Sequence, residues 1–195
     1  MDNVSLLEAR IAPLLQSQPR VLVAVDGMAA SGKTTLAGAL ARRFARSAVV
    51  HMDDFTLPLD RRYPGYFEDA LSNADVGRFD REVLAPLRAG LGARYRPYAC
   101  HPEPGFLAPL TVAADAHLVI VEGAYCLHPQ LAGRYDLRVL YTVSPRTQRA
   151  RILRRNGPEQ LARFLSLWIP MENAHIRAHG LHASCDLILS GEAAR

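Results

Sequence analysis

Val21-Leu22-Val23-Ala24-Val25-Asp26-Gly27-Met28-Ala29-Ala30-Ser31-Gly32-Lys33-Thr34-Thr35-Leu36 is the stretch that decides the fold. Val21 to Val25 form an apolar run that predicts a buried strand. Gly27 to Thr34 satisfy G-x-x-x-x-G-K-[ST] at every fixed position. Leu36, Leu40 and Phe44 then recur at helical spacing. Strand, glycine-bounded loop and helix form the context of a phosphate-binding P-loop. Gly27 and Gly32 lack a Cβ, so the chain can curl and aim successive N–H groups at one point. The following helix adds unpaired N–H groups and a positive dipole end. Gly27, Ala29, Ala30, Ser31, Gly32, Lys33, Thr34 and Thr35 are the candidate nucleotide-binding residues. Lys33 supplies charge for the β- and γ-phosphates, and the Thr34 hydroxyl is a candidate Mg²⁺ ligand. Of the 23 Lys and Arg residues, Lys33 alone is lysine. A compact ammonium can enter a ring of amides where a planar guanidinium fork would not fit in the same way.

The chain has 195 residues, 49% hydrophobic and 22% charged, as expected of one domain with a sizeable core. The net charge of +4 is modest and does not call for a nucleic-acid partner. Cys100, Cys126 and Cys185 are scattered without a C-x-x-C, which predicts a reducing compartment. No apolar run approaches a membrane span, and Glu8 and Arg10 interrupt any leader-like stretch. The expectation is a cytoplasmic protein without a membrane or nucleic-acid partner; a homo-oligomer stays open.

In chain order, residues 2–18 predict a helix kinked or shortened by Pro13, and the helix after the P-loop is expected to reach about Arg46. Val49 to Met52 read as a second strand, ending in Asp53-Asp54-Phe55. Ligands of an open parallel sheet bind at the carboxyl ends of its strands. One of these acids is placed to take a proton from a hydroxyl or to hold Mg²⁺ through water; a turn pair is the plainer alternative. Residues 56–74 read as a loop and Asn73 to Gly90 as a helix. Arg94 to Pro109 read as extended segments outside the main sheet. There Tyr95, Tyr98 and His101 either line a pocket for a flat group or pack on one another. Residues 56–110 form a substrate-side insertion.

Leu118 to Val121 read as a strand ending at Glu122, where a Mg²⁺-directed carboxylate is expected. Leu137 to Val143 form a further strand, and Ser144-Pro145 open a helix carrying Arg146, Arg149, Arg151, Arg154 and Arg155. After a strand of such a sheet, a lid over phosphates is expected rather than a solvated face. Residues 144–180 form this lid and its following helix, broken at Pro170. Asp186 to Leu189 read as a last strand. His175, His179 and His182 have metal-like spacing, but no acid or cysteine completes a set. Alternating strands and helices predict a doubly wound parallel α/β sheet with helices on both faces.

V-D-G-M-A-A-S-G-K-T-T, M-D-D-F, V-E-G-A-Y and the Arg-rich helix, in this order, resemble the uridine kinase and phosphoribulokinase family of P-loop kinases. Over roughly residues 20–190 the chain looks most like the bacterial uridine-kinase-like proteins. These share N-x-D-x-x-R-F (Asn73 to Phe79), Y-R-P-[YF]-x-C-H (Tyr95 to His101), R-N-G (Arg155 to Gly157) and W-I-P-x-E-N (Trp168 to Asn173). The resemblance implies ATP-dependent phosphorylation of a hydroxyl on a small molecule, most simply a nucleoside such as uridine or cytidine, with Mg²⁺. It implies Asp53 as general base, Glu122 as a Mg²⁺ ligand beside Thr34 and Asp53, and Asp75 on the ribose hydroxyls. It also implies Tyr98 and His101 at the base, and Arg151 and Arg155 on the triphosphate. The chain departs from uridine kinases proper, with D-D-F-T for D-S-F-Y and N-A-D-V-G-R-F-D for H-P-D-A-F-D. D-D-F is also similar to the nicotinamide riboside kinases, so nicotinamide riboside, pantothenate and a sugar phosphate are further acceptors. An ATP-hydrolysing switch is the rival of another class. A GTPase is excluded, because N-K-x-D needs a second lysine.

Overall fold

The structure is a computed structural model and describes residues 2–62, 65, 73–100 and 102–192. Five parallel strands form the central sheet in the order β2-β7-β1-β8-β9. They are β1 Val21–Gly27, β2 Ser47–His51, β7 Leu118–Glu122, β8 Leu137–Thr142 and β9 Leu187–Ser190. β1 is central and every one of its residues is buried. It pairs with β7 from Val21 opposite Leu118 to Val25 opposite Glu122, and with β8 from Val23 opposite Leu137 to Gly27 opposite Tyr141.

A strand buried on both faces needs apolar residues at odd and even positions alike. Val21, Val23 and Val25 face one cluster with Leu36, Ala37 and Leu40 of α2 (Lys33–Ala41) and Leu7 and Ile11 of α1 (Asn3–Ser17). Leu22 and Ala24 face the other cluster, with Val119, Val121, Phe55, Phe79 and Leu84. The doubly wound parallel sheet expected from the strand pattern is therefore present.

The differences lie at the ends of elements. α1 runs through Pro13 to Ser17. α2 ends at Ala41, five residues before Arg46. The helical run α3 has three parts, Val76–Phe79, a π turn at Asp80–Leu84 and Ala85–Arg88. The Arg94–Pro109 region forms two antiparallel ribbons outside the main sheet. β3 (Ala93–Tyr95) pairs with β6 (Leu110–Val112), and β4 (Tyr98–Ala99) with β5 (Gly105–Phe106). After the short α4 (Pro129–Ala132), α5 (Pro145–Arg163) follows β8, with Ser144 capping it by accepting from the Thr147 N–H. Gly157 breaks it with φ 81° and ψ 174°. Helical structure then continues through a π turn at Phe164–Trp168 into α6 (Ile169–Ala178), so Pro170 sits in the first turn of a helix and does not break the run. A short α7 (Leu181–Ser184) leads into β9. Within the expected loop 56–74, Leu59–Arg61 form a 3-10 turn, and residues 63, 64 and 66–72 lie outside the described residues.

Gly27 ends β1 at φ 142°, and a Cβ there would lie 2.0 Å from the Tyr141 carbonyl oxygen of β8. No side chain fits that gap without separating two paired strands. Gly27→Ala is expected to cost about 3 kcal/mol, from overpacking and backbone strain together. A lowered urea midpoint would show it.

Candidate active site

The carboxyl ends of β1, β2 and β7 open onto a cleft of about 1370 Å³ whose floor is the P-loop. Each wall follows from the topology. β1 leads into the loop and α2; β7, which pairs with it, and β2, beyond β7, deliver the acids. α5, the π turn and α6 close the far side. Ala30 at φ 56° and Gly32 at φ 102° give the loop its curl.

Lys33 is buried, and its Nζ donates to the Gly27 and Met28 carbonyl oxygens, both at 2.9 Å. This holds the ammonium inside the curl. The Thr34 hydroxyl donates to Glu122 Oε1 at 2.9 Å. His51 Nδ1 meets the same oxygen at 2.6 Å. That bond raises the His51 pKa, against the opposing effect of burial.

Asp53 and Asp54 sit in a 3-10 turn, Met52–Phe55, and their surroundings separate them. Asp53 lines the cleft. Crowding by the cleft walls raises its carboxyl, Lys33 pulls it back down, and Glu122 pushes it up. Asp54 is turned toward the insertion. Tyr95 donates its hydroxyl to Asp54 Oδ2 at 3.2 Å, and Arg78 donates to the Asp54 carbonyl oxygen at 3.0 Å.

Other expected residues are distributed unevenly. Arg151, Arg154 and Arg155 all line the cleft. Arg151 is spent on the loop itself, donating to the Ala30 and Ser31 carbonyl oxygens and to that of Gly191. Arg155 donates to the Asn156 side chain at 2.7 Å. Asp75 is not among the cleft-lining residues. It caps α3 by accepting from the Arg78 N–H and forms ion pairs with Arg61 and Arg78. Tyr98 is not itself among the cleft-lining residues; it stacks edge-on against Phe106 at 5.2 Å, and its hydroxyl accepts from the N–H of Leu59, which does line the cleft. His101 lies outside the described residues. Among the described residues no group of three His, Cys, Asp or Glu is set to hold a metal. His175 instead bonds Asp26 and stacks on His179 at 4.9 Å.

Four residues gain importance that their sequence context did not announce. Asp26, 1% exposed, accepts from the Gly27, Tyr125 and Leu127 N–H groups and meets His175 Nε2 at 3.2 Å. Its signal was an acid directly after five buried apolar residues. Gly191 lies so close that a Cβ would stand 2.0 Å from the Ser31 carbonyl oxygen. Glu172, within W-I-P-x-E-N, accepts the Ala29 N–H at 2.8 Å. Gln148 donates to the Ala29 carbonyl oxygen at 3.1 Å. Gln160, Phe164, Trp168 and Glu172 all line the cleft, four residues apart. The π turn helps keep such a row on one face, because its wider turn offsets the drift of a 3.6-residue period.

Burial raises the Glu172 carboxyl from 4.5 to about 7, with Lys33 and the Ala29 N–H pulling it down and Asp53 and Asp26 pushing it up. The folded chain thus keeps a proton that the unfolded chain releases. Stability is full below pH 4.5 and falls as pH rises through 7, by up to about 3 kcal/mol. Glu172→Gln is expected to flatten that slope in urea midpoints measured between pH 5 and 8.

Known proteins resemble this chain in sequence and fold. The chain is similar to nicotinamide riboside kinase 2 of Homo sapiens, 32% identical over 133 residues, which are 64% of this chain and 53% of that protein. It is 28% identical to nicotinamide riboside kinase 2 of Mus musculus over 139 residues, 68% of each chain. The matched region spans about half the length of the human relative. A candidate fructose transport system kinase from Silicibacter sp. TM1040 superposes with a TM-score of 0.69 at 25% identity, over 96% of this chain and 98% of the other. A structure described as a possible uridine kinase from Bacillus stearothermophilus superposes with a TM-score of 0.67 at 21% identity, over 94% and 99%. The chain has the P-loop kinase fold of these structures. No protein-family model matches it. In this P-loop fold the cleft above the loop is the place to look for chemistry. Among the described residues no helix is long and apolar enough to cross a membrane.

Proposed function

We propose that this chain transfers the γ-phosphoryl group of ATP to a hydroxyl of a small molecule, most simply a nucleoside. The observation that carries the reading is the placing of two acids around the loop. Glu122 at the end of β7 meets the Thr34 hydroxyl, and Asp53, just past β2, faces the same cleft as Lys33. Lys33 and the loop amides hold the triphosphate. Asp53 accepts the proton of the incoming hydroxyl, a task its place on the cleft opposite the loop allows. Arg155 and Arg154 shield the transferring group from water. Arg151 holds the loop to which they close.

Thr34 and Glu122 offer hard oxygen donors already 2.9 Å apart, which suits Mg²⁺, with Asp53 as a further ligand through water. Bound there, the ion would neutralise charge on the phosphates.

Phe164 and Trp168 give the cleft an aromatic wall for a flat ring. Uridine or cytidine is favoured by the motif order, and nicotinamide riboside by the nicotinamide riboside kinase relatives. A coupled assay of ADP release tests this with uridine, cytidine, nicotinamide riboside, pantothenate and sugar phosphates. A nucleoside is expected to raise ADP release well above the acceptor-free rate. Release of equal rate with and without every acceptor would support the ATP-hydrolysing switch instead. Cytoplasmic location belongs to the same proposal.

A further inference from the structure

The two peptide groups that flank the Ala29 Cα are each held by a side chain from the far wall of the cleft. Glu172 of α6 accepts its N–H at 2.8 Å, and Gln148 of α5 donates to its carbonyl oxygen at 3.1 Å. One turn further along α5, Arg151 donates to the next two carbonyl oxygens of the loop, those of Ala30 and Ser31. Gln148 is 1% exposed and Glu172 7%. Burying a carboxylate and an amide in a phosphate cleft carries a desolvation cost that apolar residues would avoid. The loop they grip contains Ala30 at φ 56°, a conformation unfavourable to a residue with a Cβ. Strain of that kind persists only where the surroundings over-determine it.

We propose that Glu172 and Gln148 are positioning residues for the phosphate loop: they fix the backbone on both sides of Ala29, and through it couple the arginine-bearing helix and α6 to the nucleotide cradle. The role rests on the reading of the loop as an ATP site, and it reassigns one residue within that reading. The Ala29 N–H is turned to Glu172, so the cradle proper begins at Ala30. One contact on each of the two peptide planes that meet at the Ala29 Cα fixes their mutual orientation, the φ and ψ of Ala29, which a single contact leaves free. A shift of α5 or α6 therefore moves the loop directly, without passing through the sheet. Lys33, Asp53 and Asp26 act on Glu172 from the loop, the β2 end and β1. Its grip needs only an accepting oxygen, which the neutral amide of glutamine also supplies.

Amide hydrogen exchange on the nucleotide-free full chain tests the grip without any turnover. Glu172→Ala and Gln148→Ala are expected to speed exchange at Ala29–Ser31 at least tenfold while leaving β1 and β7 unchanged. Glu172→Gln is expected to exchange like the wild type. Calorimetric titration with a non-hydrolysable ATP analogue and Mg²⁺ is the second readout. The alanine variants should bind about tenfold more weakly, the glutamine variant should bind normally, and the double alanine variant should lose less than the product of the two. Unchanged exchange in both alanine variants overturns the proposal, as does a Glu172→Gln variant as impaired as Glu172→Ala. Wild type that binds no analogue would sink the ATP reading, and the exchange result would still decide the grip.

Discussion

Asp53→Asn is expected to lower phosphoryl transfer by about 10²–10⁴-fold, the range a general base contributes, with nucleotide affinity nearly unchanged. The change removes the proton acceptor and one charge but keeps the shape. Lys33 makes no hydrogen bond to Asp53, because its contacts go to the Gly27 and Met28 carbonyl oxygens. Single-turnover rates at saturating acceptor, with affinity for an ATP analogue measured beside them, separate the two effects. Asp54→Asn is the control. Its carboxylate accepts from Tyr95 on the insertion side, so its loss should loosen the β3 region and leave the chemical step within a fewfold of wild type. Equal loss in both variants would return the base to an open choice between them.

That choice marks where the sequence stopped being informative. The pattern around Gly27 to Thr34 declared strand, loop and helix, because glycine placement and apolar runs are local signals. The order of strands was legible in kind but not in detail. Alternation of strands and helices predicts a parallel sheet, whereas the position of β7 between β1 and β2 depends on which faces must be buried together. Side-chain direction was harder still. Asp53 and Asp54 are adjacent, and only the 3-10 turn decides that one faces the cleft and the other Tyr95. The same holds for Asp75, which the resemblance placed on the acceptor and the structure ties into a helix cap and two arginine pairs. Glu172 stood in a quoted motif, yet its partner Ala29 is 143 residues away. No periodicity could join the two. Pro170 misled for a physical reason: proline is poor inside a helix but suits a first turn, and the π turn before it supplies a fresh start.

Asp26→Ala is expected to destabilise the chain by at least about 3 kcal/mol, near the cost of breaking a buried charged network. Total stability of such a domain is about 5–15 kcal/mol, so the loss is a large share of it. The reason lies in what the carboxylate leaves behind. The N–H groups of Gly27, Tyr125 and Leu127 all point at it from inside the core, and each buried donor left without a partner costs about 1–3 kcal/mol. Tyr125 is held at φ 73°, so the turn after β7 would lose the contact that sustains its strain. His175 would lose its partner on the other side, and with it the link from α6 to β1. Asp26→Asn keeps one accepting oxygen and should fall between wild type and alanine. Urea unfolding followed by circular dichroism measures the order of the three. Should alanine match wild type, the donors have found other partners, and the turn after β7 is positioned by its apolar contacts alone.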